Sequence, residues 1–218
     1  MYKRQSYQLN SSSNIFFNAG VIKRPPVFDG VFINADYDYE QAEIIENESI
    51  TSVELGYNYF GKKVKAKVNA YSTVWGDRSF VDYTSSATET IRTVFNGVEQ
   101  THTGIEVEAT WFAMSDLVIN TSISAANWRY TKNFEGVSTD ADTGASLGST
   151  GTLYMEDVKI GDAAQFTAFL GARYFVTSDL SVDLDVFSFD NLFGDFDVTD
   201  SVFSCLLYTS PSPRDLYR

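Results

Sequence analysis

The chain has 218 residues, room for one domain of ordinary size. Its 16 Lys and Arg stand against 29 Asp and Glu, a formal net charge of −13 that excludes nucleic acid as a partner, because phosphates demand a basic surface. Aromatic residues make up 15%, Pro is only 4, and no long helical pattern of Leu, Glu and Lys occurs, which points to an all-β chain.

No run of 18 or more apolar residues is present, so a transmembrane helix is excluded. A transmembrane strand needs only about 9–11 residues and remains open. The single Cys205 rules out an internal disulfide framework. No charged region followed by an apolar one opens the chain, so the expectation is that the native N-terminus is missing or that the protein is not exported.

In chain order, residues 1–5 (Met-Tyr-Lys-Arg-Gln) come first, and together with Cys205–Asp215 they resemble translated adapter sequence from transposon-based sequencing libraries. The expected domains are therefore adapter-derived, non-native residues 1–5 and 205–218 flanking one native body, 6–204. Removing Lys3, Arg4, Arg214 and Arg218 from 16 basic residues and Asp215 from 29 acidic ones leaves 12 and 28, a body charge near −16 without cysteine. Such a body suits the cell envelope, where a stray thiol is oxidised.

Period-two alternation then predicts seven strands: Asn14–Ile22, Ser52–Tyr59, Val64–Trp75, Thr103–Phe112, Leu117–Trp128, Gln165–Phe175 and Leu180–Phe189. In Ser52–Tyr59, for example, Val53, Leu55, Tyr57 and Tyr59 alternate with Ser52, Glu54, Gly56 and Asn58. Gly61 with Lys62 and Lys63, Ala113–Asp116 and Val176–Asp179 are predicted as tight turns. Between them fall long connections at about 23–51, 76–102 and 129–164.

This short–long rhythm is that of an outer-membrane barrel, with short periplasmic turns and long extracellular loops. One face is aliphatic, as lipid contact requires. The other carries Glu54, Lys65, Lys67, Glu106, Glu108, Arg173, Asp183 and Asp185 in mid-strand, charges that a hydrated lumen tolerates and a packed core does not. Matching the polar faces across the turns puts Asn58 near Lys65, and Arg173 near Ser181 with Asp183 diagonal. Aromatics at the strand ends, Tyr57, Tyr59, Trp111 and Tyr174 below and Trp75, Trp128 and Tyr130 above, look like two interfacial girdles. The expected fold is an antiparallel up-and-down meander, about seven strands of a larger transmembrane β-barrel.

The stretch Asn47–Tyr57 followed by Val68–Arg78, with Thr103–Glu108 and Gly161–Asp197, resembles the barrel of TonB-dependent receptors: an E-x-G-Y strand, a turn, an N-x-Y-x-T-x-W-x-D strand, then G-x-E-x-E. The resemblance implies a segment from the C-terminal half of a barrel of about 22 strands. It also implies a parent that imports a scarce ligand, such as a siderophore or carbohydrate, with its own plug domain, TonB and outer-membrane lipid as partners. No TonB box, plug domain or terminal strand ending in an aromatic is found here. A passive porin-type barrel and a soluble secreted β-sandwich acting as adhesin or lectin remain as alternatives.

No catalytic, cofactor or metal site is expected. His102 is the only histidine and no nucleophile–base pair is recognisable, so enzyme chemistry has no support. The acidic residues Asp140, Asp142, Asp157 and Asp162 lack the fixed ligand spacing of a calcium loop and read as solvated. The candidate ligand contacts are loop residues able to stack on cargo: Trp75, Arg78, Phe80, Tyr83, Trp128, Tyr130 and Tyr154. The lumen charges either pair across strands or contact the plug and cargo.

Overall fold

The computed structural model describes residues 2–26, 32–34, 38–41, 46–85 and 89–194; residues 195–218 lie outside it. Among the described residues there are twelve strands: β1 (Tyr2–Asn10), β2 (Ser13–Arg24), β3 (Phe32–Asn34), β4 (Asp38–Gln41), β5 (Glu48–Phe60), β6 (Val64–Ser85), β7 (Thr90–Phe112), β8 (Leu117–Tyr130), β9 (Phe134–Asp140), β10 (Ser146–Leu153), β11 (Ala164–Phe175) and β12 (Ser181–Leu192). Eight run side by side in the order β1-β2-β5-β6-β7-β8-β11-β12, and β9 joins the same sheet through β7 and carries β10. The strands β3 and β4 form a separate hairpin. Every pairing is antiparallel, so the meander is as expected.

The seven predicted strands are all present, but the count is corrected upward. Tyr2–Asn10 is an eighth wall strand, paired with β2 across a turn at Ser11 and Ser12. The region 76–102, expected as a loop, is mostly strand: β6 and β7 continue together to Ser85 and Thr90, with irregularities at Trp75/Arg78 and Arg78/Phe80. Asp77 and Gly97 take positive φ there, at 56° and 69°, which lets the hairpin kink without ending. Likewise 129–164 holds β9 and β10, and 23–51 holds β3 and β4. In upper β7 and β9, Val94, Phe95, Val98 and Phe134 are buried together with Arg92, Thr93, Ser138 and Thr139, so apolar and polar residues do not sort by face there and local period-two reading missed them.

Two registers are also corrected. Asn58 lies opposite Lys67, not Lys65, and Arg173 lies directly opposite Asp183, with Phe175 opposite Ser181. Both turns are wider than the tightest possible. The Gly61 N–H donates to the Val64 carbonyl at 2.8 Å, and Thr177 Oγ1 accepts from the Asp179 and Leu180 amides at 3.2 and 3.1 Å.

The register aligns two distinct faces. One row reads Ile15, Tyr57, Val68, Val107, Ile123 and Ala168; the row beside it on the opposite face reads Asn14, Asn58, Lys67, Glu108 and Ser122. The apolar face is open over the whole wall, with Leu55 58%, Ile105 55%, Leu170 54% and Leu184 67% exposed. So extensive an apolar surface is unstable in water. On β6 it runs from Val64 to Val74, about 11 residues, the length a tilted strand needs to cross a membrane. The next row is polar: Lys23 pairs with Ser49, whose hydroxyl donates to Asp77 at 2.9 Å, and the Thr131 hydroxyl donates to the Glu99 carboxylate at 2.6 Å.

The buried core lies beyond this boundary, in the lobe built by upper β7, β9 and β10. Phe95, Val98, Tyr130, Phe134, Leu153 and Met155 pack together, with Val158 and Ile160 against them. Phe134 sits edge-on to Phe95 and tilted against Tyr130. Asn133 closes the lobe, its side-chain oxygen accepting the Met155 and Glu156 amides, and Gln165, which donates to the Ile160 carbonyl at 3.3 Å, ties the lobe to the wall. Gln165 exchanges two 2.9 Å hydrogen bonds with the Trp128 backbone, so a buried side chain continues the ladder where the β8–β11 pairing stops. The described strands make one continuous wall plus the small β3–β4 hairpin, which does not match the two packed sheets of a soluble β-sandwich.

Candidate functional site

The densest polar constellation stands on the charged face, just above the apolar band. Strands β2 and β5 pair Arg24 with Glu48, and β5, β6, β7 and β8 bring Ile50, Trp75, Gln100 and Tyr130 into one row. Glu48, only 1% exposed, accepts from the Arg24 guanidinium and, at 3.0 Å, from the Trp75 indole N–H. Both guanidiniums lie over Trp75, with Arg24 4.8 Å and Arg78 4.1 Å from the ring centroid. Arg78 Nη1 donates to Gln100 Oε1 at 2.6 Å. Burial lowers the Arg78 pKa, Glu48 and Tyr130 oppose that, and Arg24 adds to it.

From Gln100 the network continues inward. His102 lies 3.4 Å from the Gln100 side chain and packs its ring 5.4 Å from Trp128, whose indole donates to the Tyr71 hydroxyl at 3.0 Å. Side chains of five neighbouring strands are thus linked across the wall. His102, at the end of a stretch expected as a long connection, is half-buried inside β7.

Of the predicted ligand contacts, Trp75, Arg78 and Trp128 come together through this network. Tyr130 joins the lobe core. Tyr83 and Tyr154 are exposed on the lobe, at 51% and 72%. Phe80 stands opposite Phe95 in the ladder, and its side chain lies outside the described residues. Trp75, Trp128 and Tyr130 stand on the polar face, which corrects their reading as an upper interfacial girdle: Trp75 keeps the parity of Lys65 and Lys67, and Trp128 and Tyr130 that of Ser122 and Ser124. Tyr57, Tyr59, Trp111 and Tyr174 do stand exposed on the apolar face near the short turns.

The polar-face charges behave largely as cross-strand partners. Lys67 pairs with Glu108 at 3.1 Å, Arg173 with Asp183 at 2.5 Å, and Asn18 donates to Glu54 at 2.5 Å. Lys65 lies 5.4 Å over the Phe112 ring. Glu106 stands opposite Asn69, and Asp185 opposite Gly171. Among the described residues no group of three or more His, Cys, Asp or Glu is gathered. Asp140 caps the β9–β10 turn, accepting from Thr143 Oγ1 and from the Thr143 and Asp142 amides. Asp157 pairs with Arg129 at 2.8 Å, while Asp162 takes positive φ in the connection to β11.

Arg24, Glu48, Gln100 and Tyr71 were not singled out from sequence. The first two lie in a region expected as loop; the signal that would have found them is that Arg24 and Glu48 keep the parity of Trp75 across extended strands.

A sheet with an apolar face of membrane height, a charged opposite face and an aromatic-rich rim defines a section of transmembrane β-barrel wall. The family model described as TonB dependent receptor-like, beta-barrel matches residues 6–210, and the chain belongs to that outer-membrane family. Among solved structures it is similar to one described as Copper transporter OprC, with a TM-score of 0.48 and 16% identity, covering 85% of this chain and 33% of that one. The chain thus spans about a third of that protein's length. No curated protein matches it.

Proposed function

We propose that this chain forms part of the barrel wall of an outer-membrane receptor that imports a scarce ligand by TonB-coupled transport. The observation that carries this reading is the two-faced sheet itself, within a chain of the TonB-dependent receptor family. On this reading the apolar face meets outer-membrane lipid, the short turns lie in the periplasm and the lobe lies outside the cell. The charged face lines the lumen, where Glu54, Glu106, Glu108, Asp183, Asp185, Lys65, Lys67 and Arg173 meet water, a plug domain or cargo. Trp75, Arg78 and Trp128 form the first contacts for a cargo descending from the lobe.

The test places single cysteines in the receptor containing this chain's body, in native outer membranes. Labels at Val68, Val107 and Leu170 are expected to be quenched by lipid-borne quenchers, and those at Asn69, Glu106 and Asp185 by water-soluble ones. Water accessibility at Val68, Val107 and Leu170 would overturn the assignment of the faces.

A further inference from the structure

The short-turn end of the wall is described in full, because its four connections, 11–12, 61–63, 113–116 and 176–180, all lie among the described residues. Their charges are unevenly placed. The first connection has none, the second carries Lys62 and Lys63, and the third and fourth carry Asp116 and Asp179. Asp116 belongs to the far side of its turn, where its carbonyl accepts the Phe175 amide at 2.8 Å, and Asp179 lies a turn further along the sheet. The next cations on β6 are Lys65, over the Phe112 ring, and Lys67, which holds Glu108.

Elsewhere in the wall Arg24, Lys67, Arg129 and Arg173 each pair with a carboxylate. Lys62 and Lys63 are exposed and form no ion pair among the described residues. Two uncompensated ammonium groups thus sit on adjacent residues of a chain whose net charge is −13.

Their surroundings are those of a membrane interface. The Lys63 carbonyl accepts the Phe112 amide at 2.8 Å, and Val64 is the register partner of Trp111, so the turn abuts that indole. On the other flank the Tyr59 ring takes the space beside Gly61, where a Cβ would stand 2.5 Å from the phenol oxygen. Tyr59, Val64 and Trp111 are exposed on the apolar face, and neither the Tyr59 hydroxyl nor the Trp111 indole N–H has a hydrogen-bond partner among the described residues. Tyr and Trp in such places sit at headgroup depth, and a lysine stem is long enough to carry its charge to the same level.

We propose that Lys62 and Lys63, flanked by Tyr59 and Trp111, form a site for the phosphate headgroup of an anionic phospholipid in the periplasmic leaflet. This rests on the reading of the apolar face as lipid-facing and of the short turns as periplasmic. A net negative headgroup is favoured over a zwitterionic one, because two lysines without a carboxylate beside them repel the ammonium that a zwitterionic headgroup carries.

The test uses the purified, full-length receptor containing this chain's body, in phosphatidylcholine vesicles, with a fluorescent label on V64C beside the turn or on V74C at the upper end of the same face. Quenching is titrated with chain-spin-labelled phosphatidylglycerol and with the phosphatidylcholine analogue. At V64C phosphatidylglycerol is expected to be preferred by at least about threefold, and at V74C the two lipids are expected to quench alike. K62Q/K63Q abolishes the preference at V64C and K62R/K63R keeps it, while unchanged quenching at V74C certifies that both variants are folded and inserted. Equal quenching by the two lipids at V64C, a preference that survives K62Q/K63Q, or the same preference at V74C overturns the proposal. So does loss of the preference to soluble glycerol phosphate at fixed ionic strength, which would make this a site for free phosphate esters. The vesicle assay needs neither TonB nor cargo, so a failed preference with an intact labelling pattern removes this site and leaves the assignment of the faces standing.

Discussion

The Tyr71 ring occupies the space that a side chain at Gly104 would need: a Cβ there would stand 2.5 Å from the Tyr71 hydroxyl oxygen and 2.6 Å from the ring carbon bearing it. The two residues are direct partners across β6 and β7, and the same hydroxyl accepts the Trp128 indole N–H. The pair couples a backbone feature of one strand to the aromatic network on the next. Phe16 and Gly56 repeat the arrangement between β2 and β5, with a Cβ 2.2 Å from the ring. Such pairs let an aromatic ring cover the exposed backbone of a glycine on its partner strand.

Gly104→Ala is therefore expected to destabilise the receptor by about 1–3 kcal/mol, since the ring must leave its rotamer. Tyr71→Phe should cost only about 0.5–1.5 kcal/mol, the worth of the lost hydrogen bond. Denaturant unfolding in detergent reads both. In a Tyr71→Ala background Gly104→Ala should become nearly neutral; a cost that persists there would contradict the steric account.

The lobe has its own core, so its stability separates from that of the wall. Phe134→Ala removes a 4% exposed ring packed on Phe95 and Tyr130, at an expected local cost of about 3–5 kcal/mol. Hydrogen exchange should accelerate across 134–155 while amides of 53–59 and 105–111 stay protected. Uniform acceleration in both regions would show that lobe and wall unfold as one unit.

The ion pair Lys67–Glu108 is 58% and 60% exposed on its two side chains, and solvent screens it. A double-mutant cycle with Lys67→Met and Glu108→Gln is expected to give a coupling below about 1 kcal/mol that fades as salt rises. A larger, salt-independent coupling would mean that the pair is enclosed in the assembled receptor, as a seated plug domain would make it.

Asp140 governs the β9–β10 turn as a carboxylate. The Thr143 hydroxyl, then the Thr143 amide, outweigh a small burial effect and, with the Asp142 amide, hold its pKa below the ordinary value. A depressed pKa gives stabilisation that is present above the unfolded-state value and is lost as pH falls through the folded one. The Thr143 and Asp142 amides should thus be protected at pH 6 and lose protection below about pH 4, near the ordinary carboxylate pKa. Asp140→Asn should flatten that dependence, and a variant with an unaltered pH profile would rule Asp140 out as its source.

Much of the wall was legible in the sequence because its determinants are local. Alternation in Ser52–Tyr59 or Gln165–Phe175 fixes which side chains share a face, and Gly61 or Ala113–Asp116 marks where the chain reverses. The short–long rhythm followed from the same pattern, and the family followed from strand motifs in order. The register at the turns was less legible: a shift of two residues keeps every side chain on its face, so Lys65 and Lys67 satisfy the pattern equally and only turn hydrogen bonds choose between them.

What the sequence determined by itself is therefore the two-faced strand, a property of neighbours along the chain. Tertiary structure alone decided that β9 completes the sheet against β7, that Phe95, Phe134 and Met155 make a core outside the apolar band, and that Arg24 and Glu48 meet Trp75 and Arg78 at the rim. Those contacts join residues about 20 to 60 positions apart, and they form only after long-range pairing has set the register that brings them together.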